Sequence, residues 1–455
     1  MASLNTQITP HVPQETVSES ETTTVDEVKE ELGVVHELPS KTSSVHQVAD
    51  GGTKAWMTLA GSFIMIFCAS GHMNAFGVYE DYYTREFLNS HSSSKIAWIG
   101  SLQVFLLGSL GIPGGYAMDR GYFHTVMLFG STLLVVSLLA TSFAQPQQWW
   151  QIFLSQGLGF GIGVGTVYIP SLGILSHHFK RRRSLAMGIA GSGVSAGGIV
   201  YPIMLNYCIH GRVGFRWGIR ISAFVTLALL ILANLMMSTT LPPRTDGKTL
   251  TQQVAYWRVF FKDGAYLFAT ASVFLLYASL YFPTFYLQLK AITNGVDHTT
   301  AFWTIVVLNG AGFFGRILPN FFVDKTGVWA QLTPCAVICG ALMIAFIGIH
   351  DAAGIMTIAV LYGFFNGAII SLLSPMLAYL THDVTEIGAR MGACIGIGAL
   401  GALIGPPVSG ELLTGEYHWW RPAVFSGVCC AITGVTFNMA RIISARDAAK
   451  REQKE

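Results

Sequence analysis

Between Trp56 and Arg441 the chain alternates twelve apolar runs with short polar stretches. The runs cover 56–79, 95–117, 124–144, 150–174, 184–207, 217–240, 264–288, 300–322, 329–349, 354–380, 388–411 and 421–441. Each is about 20 residues long, the length an α-helix needs to cross the hydrocarbon of a bilayer. A soluble helical protein would carry charge along one face of each helix. Here the charges lie almost wholly between the runs. The pattern predicts an all-α membrane protein with twelve transmembrane helices.

Composition supports this and narrows the function. Charged residues make up 11% of the chain, against about 25% in ordinary soluble domains. The 49 glycines suit membrane helices that pack backbone to backbone. Residues 1–53 hold nine acidic side chains against Lys29 and Lys41. Rich in Ser, Thr and Glu, residues 1–54 read as a disordered acidic cytoplasmic tail. They have neither the basic start nor the apolar core of a signal peptide.

Cys68, Cys208, Cys335, Cys339, Cys394, Cys429 and Cys430 lie in or beside apolar runs. Cys335 and Cys339 share a helix face, but no second ligand pair accompanies them, so no metal is expected. No nucleophile–base set converges, which argues against an enzyme, and no cofactor is implied. Gly157, Gly159, Gly161, Gly163 and Gly165 alternate inside a span with no lysine after them. They read as close helix contact rather than a nucleotide loop. Lys180–Arg183 reads as a topology signal that meets anionic lipid, not nucleic acid.

Basic residues gather in cytoplasmic loops. With the N-terminus inside, the cytoplasmic side holds Arg120, Lys180–Arg183, Arg244, Lys248, Arg258, Lys262, Lys325, Arg390, Arg441, Arg446, Lys450, Arg451 and Lys454. The other side holds Arg85, Lys95, Arg212, Arg216, Arg220, Lys290 and Arg421. This 16-to-7 asymmetry places both tails in the cytoplasm. Apart from these and Lys29, Lys41 and Lys54, one basic residue is left: Arg316, inside the eighth run.

The runs divide six and six around a polar, basic linker at 241–263. The expected units are bundles at 55–240 and 264–441, with a cytoplasmic tail at 442–455. The halves echo each other. Asp119-Arg120-Gly121 follows the second run, and Asp324-Lys325 with Gly327 follows the eighth. The fifth run carries GSGVSAGGIVYP and the eleventh GALIGPPVSG. Such duplication is the architecture of many secondary transporters.

Asp119-Arg120-Gly121 resembles the loop signature of the major facilitator superfamily between spans two and three. Further segments resemble the monocarboxylate porter family in its fungal branch. They are Asp50-Gly51-Gly52, Asn74 with FGVYEDYY at 76–83, YIPSLGILSHHFKRRRSLAMGIAGSG at 168–193, FRWGIR at 215–220 and the GARMG…GALIGPP stretch. The likeness covers roughly residues 50–441. It implies two pseudo-symmetric six-helix bundles, the major facilitator fold, rocking about a central site. It also aligns Arg316 with the span-eight arginine that meets the substrate carboxylate in animal monocarboxylate porters. Two departures weaken the parallel. Gly312 stands where those porters have an aspartate, and Asn74 where they have a lysine that binds substrate and proton.

The candidate substrate-binding residues are Arg316, Asn74, Asn309, Tyr281, Tyr168 and Asn366. Arginine offers a planar fork that matches a carboxylate. Asn309 and Gly312 precede it on the same helix face. Snorkelling to the inner surface, or pairing with Asp324, is the structural alternative for Arg316. Tyr277 with Tyr281, and Tyr362 with Asn366, are further pairs expected at cavity depth, although helix packing would explain any one of them. His72 is the candidate proton carrier, because its ordinary titration range suits a switch. Asp119, Arg120, Asp324 and Lys325 read as a cytoplasmic gate.

The reading is therefore a monomeric transporter of a small organic acid or amphipathic metabolite, secondary-active or facilitative, working by alternating access. Its expected partners are that small molecule, protons as coupling ion, and membrane lipid. It is expected in the plasma membrane, with the vacuolar or another internal membrane as the alternative. One alternative is an efflux pump for a fungal secondary metabolite. Another, of a different class, is a non-transporting sensor on the same fold.

Overall fold

The computed structural model describes residues 51–179, 183–209, 211–239, 260, 262–381, 387–414 and 416–452. Within them twelve helices are long and apolar enough to span a membrane. In the first half these are α1 (Thr53–Phe87), α2 (Ser93–Ala117), α3 (Arg120–Thr141), α4 (Trp149–His177), α5 (Leu185–Ile209) and α6 (Gly214–Met236). In the second they are α7 (Gly264–Thr293), α8 (His298–Val323), α9 (Val328–Gly348), α10 (Ala352–Tyr379), α11 (Arg390–Leu413) and α12 (Trp420–Asp447). No strand occurs among the described residues. The expected tail at 1–54, except its last residues, most of the linker at 241–263, and Lys180, Arg181 and Arg182 lie outside them.

Helix neighbours repeat with a shift of six. In the first half α1 packs on α5 and α6, and α4 and α6 each pack on α3, with α2 against α4. In the second half α7 packs on α11 and α12, and α10 and α12 each pack on α9, with α8 against α10. The bundles meet by the same rule, α2 along α11 and α5 along α8. The duplication visible in the sequence is thus a two-fold relation in space.

Small residues make the equivalent contacts. A Cβ on Gly197 of α5 would overlap the carbonyl oxygen of Phe67 in α1, and one on Gly405 of α11 would overlap that of Ala278 in α7. At both places the backbones approach too closely for any side chain. The paired Asp-containing loops also turn alike. Gly121 has φ 88° and Gly327 has φ 81°, a conformation open to glycine at little steric cost.

The helix ends agree with the apolar runs to within four residues, except that α7 runs on to Thr293, α12 to Asp447 and beyond it to Glu452 in the expected tail, and, most clearly, α1. Helix α1 continues to Phe87 rather than ending at 79. It is interrupted at Ala75, whose N–H is shared between the carbonyls of Gly71 and His72. Its outer part closes against α7. The Phe76 and Phe285 rings lie 4.9 Å apart, and Gln288 Nε2 donates to Asp81 at 3.1 Å. Here "outer" is the side that the basic-residue asymmetry places outside. On that side α2 and α11 are also tight: a Cβ on Gly410 would lie 2.8 Å from the Ser94 nitrogen.

On the opposite side α2 and α11 stay in touch, a Cβ on Gly392 lying 3.0 Å from Ile112 Cγ1, while α5 and α8 part. Gly198 of α5 abuts Asn309 of α8, and Ser195 Oγ would lie 3.7 Å from a Cβ on Gly312. One and two turns further in, Gly191 and Gly188 continue the face of α5 that bears Ser195, and nothing lies within 4 Å of either. The α5–α8 interface is therefore a wedge, closed on the outer side and open on the other, and in the orientation that the basic-residue asymmetry gives, this opening faces inward.

Candidate substrate cavity

Arg316 follows Gly312 by one helical turn, so it stands where the wedge begins to open. Helix α8 can place it there because glycines bring α10 close behind: a Cβ on Gly315 would overlap the Phe364 carbonyl of α10. The guanidinium lies within electrostatic reach of the phenol groups of Tyr168 on α4 and of Tyr281 and Tyr277 on α7. Its Nε has no hydrogen-bond partner, although it is buried. No ion pair to Arg316 occurs among the described residues. A guanidinium at membrane depth without a counter-charge is costly unless water or a ligand meets it. The side chain is only part-buried, so the cavity supplies that access.

The tyrosines form an aromatic wall. Tyr277 and Tyr281 meet edge to face at 6.3 Å, and Tyr281 continues to Phe285 at 5.8 Å. Above them, on the outer side, Met73, Val104 and Ala402 make a small apolar plug against which Tyr277, Tyr281 and Leu107 pack. It joins α1, α2, α7 and α11, so it forms the roof of the cavity. Asn74, beside the interruption of α1, is part-exposed. Asn366 on α10 is part-buried, with its Oδ1 unpartnered.

The sequence-derived candidates divide here. Arg316, Tyr168 and Tyr281 come together, and Tyr277 joins them. Asn309 lies elsewhere: its amide donates to Ile305 O at 3.0 Å, and its side chain packs against Gly198 between the bundles. The polar stripe expected along α8 is thus covered by α5 over its outer part. Tyr362 is fully buried, and its hydroxyl donates to the Leu280 carbonyl, so it joins α10 to α7 rather than lining the cavity.

His72 is 3% exposed. Its Nε2 lies 2.6 Å from Ser222 Oγ of α6, and its ring lies 4.4 Å from that of Tyr201 on α5. It therefore sits inside the first bundle, apart from the Arg316 group. Arg120 lies over the Tyr116 ring at 5.2 Å, and Lys325 is exposed. The side chains of Asp119 and Asp324 lie outside the described ones.

Two features escaped the sequence reading. Lys290, counted as a loop charge, is buried in the last turn of α7. Its ammonium donates to the Phe346 carbonyl and sits 4.3 Å from that ring. Glu80 and Asp81, placed at the end of a span, are buried where α1 meets α7. The i, i+4 spacing of Asp81 and Arg85 was a signal for their pair, whose Nε–Oδ1 distance is 2.7 Å.

Comparison with known proteins agrees with the bundles and the cavity. The chain is 33% identical over 92% of its length to the aspyridones efflux protein of Emericella nidulans, of which the match covers 84%. It is also 33% identical over 92% of its length to the agnestins efflux protein of Paecilomyces divaricatus, of which it covers 97%. Among solved structures, a D-xylose-proton symporter superposes with a TM-score of 0.67 over 84% of this chain and 96% of its own, at 14% identity, a likeness of fold. The Major Facilitator Superfamily pattern matches residues 58–384. Twelve helices in two related bundles, an inward-opening central cavity and these likenesses agree: the chain is a membrane transporter and belongs to the major facilitator superfamily.

Proposed function

We propose that this transporter exports an acidic, aromatic small molecule of the secondary-metabolite class. The observation that carries the proposal is the guanidinium of Arg316, which has no ion-pair partner among the described residues, within electrostatic reach of three tyrosines. The fork of Arg316 suits a carboxylate or an acidic enolate. Tyr168, Tyr277 and Tyr281 suit a flat apolar body with polar edges. In this reading Asn74 and Asn366, both part-buried, supply hydrogen-bonding amides. The efflux proteins named above are the relatives that support the outward direction.

The finer likeness to monocarboxylate porters fits the same chemistry, because an arginine at this point of α8 calls for an acid group. In this reading the protein acts as a monomer in the plasma membrane, surrounded by lipid. Asp119, Arg120, Asp324 and Lys325 hold the cytoplasmic side in the other half of the cycle.

The test compares culture media of strains with and without the gene by untargeted mass spectrometry. The expected result is loss of one or more acidic aromatic compounds from the medium, restored by the intact gene and not by Arg316→Ala. Loss of only neutral or aliphatic compounds, or full restoration by Arg316→Ala, overturns the proposal.

A further inference from the structure

Glu80 is 0% exposed, and neither carboxyl oxygen has a hydrogen-bond partner. It lies in the outer part of α1, where that helix meets α7. An ionised carboxylate there would have lost its water with no donor in exchange, and that is among the costliest ways to bury a side chain.

The neighbouring groups do not relieve the cost. On the same helix Asp81 adds like charge, and its own oxygens are taken by Arg85 and by Gln288 of α7. Tyr79, one residue before, has an unpartnered hydroxyl. From α7, Tyr286 lies within electrostatic reach, but its hydroxyl donates to the Pro406 carbonyl of α11 at 3.3 Å. Lys290 of α7 is turned to Phe346. From α2, Lys95 lies over Trp149 and beside His91. From α5, Tyr201 bonds Thr226 of α6 at 2.9 Å. Glu411 of α11 is exposed.

We propose that Glu80 is a proton-binding site of the outer closure. It holds a proton while α1 and α7 are together, and gives that proton to external water when they part. The oxygens are enclosed by protein in the closed state and reach external water when this interface opens. The closed state therefore binds one more proton than the open state wherever open Glu80 is ionised. By linkage the closed-to-open ratio falls as pH rises, by at most about tenfold per pH unit for one proton. External acid thus favours the inward-facing form. In an exporter that is the direction of the empty carrier's return after release, so external acid would favour resetting.

The inference rests on the transport cycle but not on the identity of the cargo, and its test uses no cargo. Met73 lines the roof, so Met73→Cys, in full-length protein with the native cysteines replaced, reports outer opening through a membrane-impermeant maleimide. Labelling from outside is expected to rise several-fold between pH 5 and pH 8. Glu80→Gln, a neutral isostere, should keep labelling low at every pH. Infrared titration of the unaltered protein should show a protonated carboxylic-acid band that Glu80→Gln removes. Labelling of the Gln variant that rises with pH as before, or a band unchanged by the substitution, overturns the proposal. Neither result bears on Arg316, so the cargo reading stands or falls separately.

Discussion

Gln288 of α7 donates to Asp81 of α1 at 3.1 Å, and through this bond the second bundle touches a carboxylate already paired with Arg85. Both partners are buried. The bond crosses the interface that has to part when the outer side opens, so its energy counts only in the closed state.

That location gives the first prediction. Gln288→Leu keeps the bulk and removes the donor. Interhelical hydrogen bonds in membranes average about 0.6 kcal/mol, and charged acceptors strengthen them toward about 1.5 kcal/mol. The variant should therefore move toward the outward-open form by roughly three- to tenfold. External labelling of Met73→Cys measures the shift. Unchanged labelling would mean that the bond contributes nothing to closure.

Arg316 gives the second. Arg316→Ala should abolish export of the compound identified in the medium comparison while protein still reaches the membrane. Arg316→Lys should retain less than about a tenth of the rate, because an ammonium cannot replace a two-point fork. Tyr281→Phe keeps the ring and should cost only a few-fold. Wild-type rates in both Arg316 variants would remove this residue from the site.

The glycines separate packing from access. Gly405→Ala sets a methyl against the Ala278 carbonyl, and overpacking of this kind costs about 1–3 kcal/mol. Its melting temperature in detergent should fall. Gly191→Trp instead enters open space opposite Arg316, so it should leave folding intact and block the cavity. Equal melting temperatures for Gly405→Ala and the unaltered protein would contradict the close approach of α7 and α11. Export by Gly191→Trp at the normal rate would contradict the wedge.

The helices were legible because bilayer thickness fixes their length and charge marks their ends. Arg316 was legible because a lone cation among apolar residues needs an explanation whatever surrounds it. Which helix covers a given face was not legible. Asn309 and Arg316 share a face by spacing, yet Gly198 lets α5 lie over the first, while α5 and α8 separate before the second. Glu80 read as an acid at the outer end of the first span and, with Glu411, as the next proton candidate after His72; its burial was not legible. The helices that pack on the outer part of α1 bury it, α7 foremost, where Gly77 lies against the Thr284 carbonyl. Lys290 was misplaced for the same reason: Phe346 and Trp419, which cover it, are far away in sequence.

His72 supplies the last prediction, because its sequence suggests one role and its surroundings another. A proton carrier must exchange with water on at least one side. His72 is enclosed by α1, α4, α5 and α6, with Phe160, Tyr201 and Tyr79 around its ring and Ser222 on its Nε2. No carboxylate is among these contacts. In that setting the imidazole ties α1 to α6 as a hydrogen-bonding core residue. His72→Phe preserves the aromatic packing and strands the Ser222 hydroxyl, at a cost on the order of 1–2 kcal/mol. The variant should melt at a lower temperature yet keep the full pH dependence of outer-face labelling. A flattened pH profile in His72→Phe, with Glu80 intact, would instead identify the histidine as the titrating group and return the proton path to the first bundle.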